Sequence, residues 1–290
     1  MFLRRDLRQW ADYFANPSIE RLAEAAQAWP SFHSRPYAPC LHARLNSNVS
    51  PHMPRWSIFE TNELVAKVHG EGHHSHIDAS LYAMSQRQRY ARFHYQEVMR
   101  LLAEFRDSYL KDEVLLTVTH GQDEEGRAAF EEFMMQTGAH VIACVLSIHS
   151  MADVTAFAAY WALGYQGAPN IRREKDVTAA SMQPVLAANP EHKGVADALA
   201  SLMNNAEFKH VAALSNHSKH RGLIRPLLNE DWTGARERPH ELRFAGFAYD
   251  DVPYLETEIT SILGPAYELA SATVVNVGNE INSLLSKSAA

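Results

Sequence analysis

The sequence predicts a mainly α-helical protein, a helix bundle with a small β-hairpin near the C-terminus. Apolar residues recur at spacings of three and four over long stretches, and the apolar run 133–163 predicts a central buried helix. Segment 241–254 alternates aromatic with small or charged residues around a turn at Asp250-Asp251. There is no internal repeat, so we expect a single helical domain over 1–290.

Helix starts and stops divide the N-terminal part of the chain. Short helices are expected at 4–14 and 19–29, the second beginning at Ser18 as a helix N-cap. Five prolines make 30–56 an irregular Pro-rich segment.

The later elements follow from periodicity and capping. In the long amphipathic helix expected at 78–112, His94 lies on the apolar face. The remaining expected elements are a strand or short extended piece at 114–119, a helix from Asp123 to Gly164, a helix over 195–221 and a last helix over 256–286, broken near Gly264-Pro265.

Composition limits the classes of function. The 290 residues are 46% hydrophobic with a net charge of -7, which argues against nucleic-acid binding through a strongly basic surface but allows a local basic site. Cys40 and Cys144 lie in unlike contexts and suggest no disulfide framework. Without an N-terminal signal pattern, we expect a cytoplasmic protein. Because His140, His149 and Asp153 interrupt the apolar run, no membrane span is expected.

A polar cluster ends the expected helix 195–221. An apolar stripe on this helix is continued by His210, His217 and His220 at the spacings of one helical face. His220 is the expected acid or base, because the positive charges beside it favour its neutral form. Asn216, one turn earlier, could fix the imidazole or bind a phosphate or a base edge. The alternative is a helix face whose histidines are hydrogen-bonded within a polar core.

Other members of the candidate site come from the same stretch and from the central helix. Lys219 and Arg221 would supply positive charge to an oxyanion. His149 and Asp153 are four residues apart, so their side chains can meet, and Asp153 would hold a cation or orient an imidazole. The alternative is a buried structural ion pair. The candidate catalytic residues are His220, Asn216, Arg221, Lys219, Asp153 and His149.

A second histidine cluster lies in 69–78. The candidate metal ligands are His69, His73 and His76, with Glu71 and Asp78 as oxygen donors. Gly70 and Gly72 argue against a preformed helix, so we expect a loop that must become ordered to bind a divalent metal. The alternative is a solvated loop without metal.

The residues Ser215-Asn216-His217-Ser218-Lys219-His220-Arg221, following His149-Ser150-Met151-Ala152-Asp153 on an earlier helix, resemble the helical HEPN superfamily. The likeness spans 133–224. Asn216 and His220 match the asparagine and histidine of its nuclease members, which cut RNA across a dimer interface. The arginine of that motif is replaced by Ser215, and Arg221 or Lys219 would have to substitute for it. Members without the full motif bind nucleotides or RNA, or partner proteins.

The resemblance implies a homodimeric protein that binds RNA or a nucleotide, or a ribonuclease with an altered motif, in a defence or toxin role. Two alternatives stay open. One is a helical enzyme that acts on a small molecule, with a divalent metal as its cofactor or with none. The other is a non-catalytic structural dimer.

Overall fold

The computed structural model describes residues 56–111, 113–166, 173–236 and 239–290, without the side chains of 74 and 75. The expected helices at 4–14 and 19–29, and the Pro-rich segment up to Arg55, lie outside the described residues. The described part is mainly helical with small antiparallel sheets, which confirms the predicted fold class.

Eight α-helices and five short strands form the described chain. The helices are α1 (Ile58–His69), α2 (Glu71–Tyr109), α3 (Leu115–His120), α4 (Glu124–Ala162), α5 (Ala179–Ala187), α6 (Lys193–Asn204), α7 (Ala206–His220) and α8 (Ile259–Ala289). The strands are β1 (Pro226–Glu230), β2 (His240–Phe244), β3 (Phe247–Tyr249), β4 (Val252–Tyr254) and β5 (Thr257–Glu258).

Helix α4 is the centre of the fold. It begins at the N-cap Asp123, whose side chain accepts the Glu125 N–H at 3.0 Å, as the acidic first turn predicted. Its longest interface is with α2, and α8, α7, α5 and α3 also pack on it. By length and composition alone α4 could cross a membrane, but 56% of its most apolar window is buried inside the fold. Packing therefore accounts for its apolar character.

The expected helix 195–221 is two helices. Asn205 lies between α6 and α7 with extended backbone, and its side chain accepts the Phe208 N–H at 2.8 Å. Asn205 therefore begins a new helix instead of continuing the old one, because its short amide can satisfy a free N–H at a helix start.

The expected strand at 114–119 is wrong, since α3 occupies these residues. The β-branched residues there favour a strand. However, the Glu230 carboxylate accepts the Leu115 N–H at 3.1 Å and so stabilises the first turn of the helix.

The expected break in the last helix is also wrong, because α8 continues through Pro265. The proline is exposed, so the backbone carbonyl that loses its helical partner remains close to water.

The strands are arranged as a three-stranded antiparallel sheet, in the order β1-β2-β5, and a separate β3-β4 hairpin. The hairpin turns at Asp250 and Asp251, whose φ angles of 48° and 62° are those of a type I′ turn. The turn was predicted correctly, but the hairpin is shorter than 241–254. Its expected first strand belongs to β2, which pairs with β1 and β5.

A buried polar network ties the start of α1 to the last helix. The Trp56 indole N–H donates to Thr61 Oγ1 at 2.8 Å, and the Thr61 hydroxyl donates to Asn282 Oδ1 at 2.6 Å. Gly278, one turn before Asn282, lies against the indole ring, and a Cβ there would overlap the ring carbons. The absence of a side chain at Gly278 therefore allows Trp56 to reach its partner.

We expect Gly278→Ala to destabilise the fold relative to Gly264→Ala on the same helix, where no heavy atom lies within 4 Å of an added Cβ. Both changes gain helix propensity, but only the first displaces the indole. The free energy of unfolding of Gly278→Ala should therefore be lower by about 1–3 kcal/mol. Urea unfolding followed by circular dichroism measures the difference, and equal stabilities would contradict the proposed close contact.

Candidate functional site

The C-terminal end of α7 carries four of the six candidate catalytic residues. The helix ends at His220, where the Arg221 N–H donates to the His217 carbonyl at 2.8 Å. His217 Nδ1 in turn donates to the Gly222 carbonyl at 2.7 Å. The ring of His217 therefore satisfies a carbonyl group just beyond the helix end.

Two of the α7 histidines face aromatic side chains of the strands. The His210 ring lies 4.9 Å from the Tyr254 ring and 5.7 Å from the Phe247 ring, and His217 contacts Phe247 edge-on at 5.6 Å. Burial lowers the pKa of His210. These two histidines pack against the hairpin, whereas His220 is exposed.

The outward side of the helix end is polar and open. Lys219 and His220 are exposed and Asn216 is half-buried, and none of their three side chains makes a hydrogen bond within the described chain. Asn216 and His220 are one turn apart and share a face, as the sequence predicted. Ser215 is fully buried. The resemblance to HEPN proteins aligns this residue with their motif arginine, so the aligned position lies in the core.

Arg221 is held by the hairpin. Its guanidinium donates to Asp250 at 3.2 Å and lies 5.1 Å from the centre of the Tyr249 ring. The pair is exposed, with 53% and 67% of the two side chains accessible, so it contributes little stability. Its main effect is to hold Arg221 beside the hairpin turn.

His149 of α4 lies within range of the Lys219 charge. The two helices pack together, and the His149 ring lies 6.2 Å from the Phe208 ring of α7. Burial lowers the pKa of His149, the Lys219 charge lowers it further, and Asp153 opposes both. The sequence predicted Asp153 as the residue of the central helix that meets the basic cluster, but the residue on which the Lys219 charge acts is His149.

The sequence predicted Asp153 as the partner of the basic cluster, but the hydrogen bond of this carboxylate joins it to a different helix. Asp153 Oδ1 accepts the Ala179 N–H at 2.9 Å, at the first turn of α5. A helix start presents N–H groups without helical partners, and a carboxylate is stabilised there. Asp153 thus fixes α5 to α4, while its charge still acts on His149.

The histidines at 69, 73 and 76 lie on helices, so the loop expected over this segment is wrong. His69 ends α1, Gly70 turns the chain with a φ of 87°, and α2 begins at Glu71. Gly70 alone provides the break, and the chain is helical again at Gly72.

The three rings have separate partners and do not converge on one point, although His69 and His73 stack with ring centres 5.2 Å apart. His69 Nε2 donates to the Ala162 carbonyl at 2.9 Å, and His73 Nε2 donates to Gln166 Oε1 at 3.3 Å. His76 stacks on Trp161 with ring centres 4.1 Å apart. No group of three histidine, cysteine or acidic side chains in the described ranges is arranged to hold a metal. The geometry of this cluster therefore lends no support to the metal alternative.

A cavity of about 340 Å³ lies near the C-terminal end of the last helix. Its lining residues are Val68, His69, Leu163, Glu191, His192, Leu284, Leu285, Lys287 and Ser288. His192 Nδ1 accepts from the Tyr165 hydroxyl at 2.6 Å, and burial lowers the pKa of His192. None of the candidate catalytic residues borders this cavity, so the α7 end is an open surface separate from it.

A close histidine pair was missed from the sequence. His94 Nδ1 and His140 Nδ1 lie 2.9 Å apart between α2 and α4, and both residues are half-buried. Burial lowers the pKa of His94, and His140 lowers it further. Two features of the sequence could have indicated the pair. His94 lies on the apolar face of one long helix, and His140 interrupts the apolar run of the next.

Comparison with known proteins gives no relative, because no protein-family model, no curated protein and no solved structure matches this chain.

We expect Asp153→Ala to lower the free energy of unfolding by about 0.5–2 kcal/mol, because the first turn of α5 loses its acceptor. Asp153→Asn keeps an oxygen at the same position and should lose less. Thermal and urea unfolding of both variants measure the effect. Equal losses would show that the negative charge matters more than the hydrogen bond to Ala179.

We expect Lys219→Gln to raise the pKa of His149, since it removes a nearby positive charge. The folded-state pKa of His149 lies below the ordinary 6.5, so its contribution to stability is present above pH 6.5 and is lost as the pH falls. Lys219→Gln should make that loss smaller.

Imidazole resonances followed by NMR over a pH titration give the pKa of His149 directly. The control is Lys209→Gln, an exposed lysine near the start of the same helix. An unchanged pKa in Lys219→Gln would contradict the proximity of Lys219 to His149.

Proposed function

We propose that the C-terminal end of α7 binds phosphate groups of RNA. The observation that carries this proposal is the set of three side chains on its outward surface, Asn216, Lys219 and His220, which lack hydrogen-bond partners in the described chain. An amide, an ammonium group and an imidazole can each donate a hydrogen bond to a phosphate oxygen. We call these three residues the α7 donor surface.

The charge around the α7 donor surface favours an anion even though the protein is acidic. Arg221 and the exposed Arg225 follow directly in the sequence, and Arg225 forms no ion pair within the described chain. Cations are favoured at a helix C-terminus by the helix dipole, so this positive charge is well tolerated without a ligand. A bound phosphate would add the partner that Lys219 lacks.

The shape of the site favours a strand of RNA over a small nucleotide. Sites for small molecules are generally concave and bury most of their ligand. The α7 donor surface is open, and its residues do not border the cavity near the last helix. An extended polyanion can reach several exposed donors without being enclosed.

Binding is better supported than cleavage. Ser215 is buried where the family motif has arginine, and Arg221 is paired with Asp250. Cleavage is the second candidate function, favoured by the exposed imidazole of His220 one turn from Asn216. In that reaction His220 would remove the proton of the ribose 2′-hydroxyl as its oxygen attacks the phosphorus, and Lys219 would stabilise the charge on the phosphate. The bond from phosphorus to the 5′-oxygen of the next nucleotide would break, and that oxygen would take a proton from water. Homodimer formation and a defence or toxin role stay predictions.

The proposal is tested by fluorescence anisotropy of a labelled single-stranded RNA over a range of salt concentrations. We expect Lys219→Gln to weaken binding by about threefold to tenfold and to reduce the slope of log affinity against log salt by about one, because one phosphate contact is lost. His220→Ala should also weaken binding. Lys209→Gln, on the same helix but away from its end, is the matched control and should bind as the unchanged protein does.

Two outcomes would overturn the proposal. One is the absence of RNA binding by the unchanged protein at low salt. The other is equal loss of affinity in Lys209→Gln and Lys219→Gln, which would indicate diffuse attraction. Gel analysis of the same RNA after incubation tests cleavage, which His220→Ala should abolish if it occurs. Circular dichroism verifies that the variants remain folded.

A further inference from the structure

The histidine pair between α2 and α4 is a second place where the structure concentrates ligand chemistry. The Nδ1 atoms of His94 and His140 face each other at 2.9 Å, with ring centres 5.2 Å apart and ring planes inclined by 46°. Each residue lies well inside a helix of 39 residues, and these two helices share the most extensive interface of the described fold. The backbone positions of both imidazoles are therefore fixed by packing.

The surroundings leave the pair reachable from solvent. Both histidines are half-buried, and the neighbouring Phe93 is 51% exposed, with its ring edge-on to each imidazole at 5.2 and 6.2 Å. Within the described chain the only hydrogen bond to either imidazole comes from the other. In the neutral pair one Nδ1–H donates to the other Nδ1 lone pair.

We propose that His94 and His140 bind a divalent transition metal ion, with Cu²⁺ preferred over Ni²⁺ and Zn²⁺. Imidazole suits these ions, and the preference follows their general order of affinity. At metal–nitrogen distances of about 2.05 Å, nitrogens separated by 2.9 Å subtend about 90° at the metal, which is the angle between adjacent ligands in tetragonal or octahedral coordination. A tetrahedral Zn²⁺ would require the nitrogens to move about 0.4 Å further apart.

Metal binding needs a change of tautomer in the donating histidine and a rotation of the two rings. The rings must turn because the metal would lie beside the line that joins the two nitrogens, not on it. The Nδ1 proton of the donating histidine moves to Nε2 through solvent, and each ring keeps one proton. The neutral pair and the metal-bound pair therefore hold the same number of protons, and no other group has to change its charge.

The two imidazoles are the protein ligands of the proposed site, and water would complete the coordination. Glu97 follows His94 by nearly one turn on α2, and its charge acts on the His94 imidazole. Its carboxylate pairs with Arg100 at 2.8 Å, so it would act on a bound metal through its charge and not as a ligand.

The test measures binding of Cu²⁺, Ni²⁺ and Zn²⁺ by calorimetry, together with the melting temperature in each ion. We expect Cu²⁺ to bind most tightly and to raise the melting temperature, because a metal bound to both α2 and α4 stabilises only the folded state. Mg²⁺ should have no effect, since it prefers oxygen ligands. His94→Gln and His140→Gln should each lower the Cu²⁺ affinity by at least about tenfold, and Glu97→Gln should lower it less.

Matched controls separate this site from other histidines. His120→Gln changes an exposed histidine on α3 and should leave the affinity unchanged. The electron paramagnetic resonance spectrum of the Cu²⁺ complex should show coupling to two nitrogens, and one nitrogen should be lost in each single variant. Absence of Cu²⁺ binding, or equal binding by the unchanged protein and both single variants, would overturn the proposal. RNA binding should be unaffected by these variants, because the α7 donor surface is a different part of the molecule.

Discussion

The burial of α4 is the constraint on which the rest of the described structure depends. Because other elements pack on several sides of this helix, a polar group on its buried faces is stabilised by a partner from a neighbour or from its own backbone, which Thr137 Oγ1 and Trp161 Nε1 lack within the described residues. Asp153 accepts an N–H from the start of α5, and the Cys144 thiol donates to the Ala91 carbonyl of α2 at 3.3 Å. Burial raises the pKa of Cys144 to about 12, so the thiol keeps the proton it donates. These two contacts help to set the rotation of α4 about its axis.

Helix α7 divides its polar residues differently. On its inner side His210 and His217 contact aromatic residues of the strands, and His217 also holds the backbone beyond the helix end. On its outer side Lys219 and His220 contact solvent and make no hydrogen bond within the described residues. An exposed polar side chain without a partner in the fold has little effect on the free energy of unfolding. A role in binding is the physical reason we offer for the concentration of donors there.

Periodicity predicted the long helices α2, α4 and α8 because burial of an apolar stripe determines them, but it did not predict α1. Periodicity did not predict the end of α6, because asparagine is compatible both with a helix interior and with a helix start. Asn205 begins a new helix, α7. The helix at 115–120 depends on Glu230, which is distant in sequence, so local β propensity pointed to the wrong structure. The sequence predicted that Asp153 would face the basic cluster, whereas in the structure the Lys219 charge acts on His149. The Ala179 N–H was not predicted as the partner of Asp153, because α5 begins just after a polar stretch with a weak helical pattern.

His94 and His140 show why a site can be present in the sequence and still be missed. Each was visible as a polar interruption of an apolar face, but whether two such interruptions meet depends on the axial offset and rotation of two long helices. The contact between Cys144 and Ala91 helps to fix both the offset and the rotation of the two helices. Cys144 lies one turn after His140 on α4, and Ala91 lies nearly one turn before His94 on α2. Once that register is set, the two imidazoles face each other. The Asp153 carboxylate already accepts an N–H at the start of α5. The two neutral imidazoles have only one proton between their two facing Nδ1 atoms. This histidine pair can therefore bind a cation once that proton moves to Nε2.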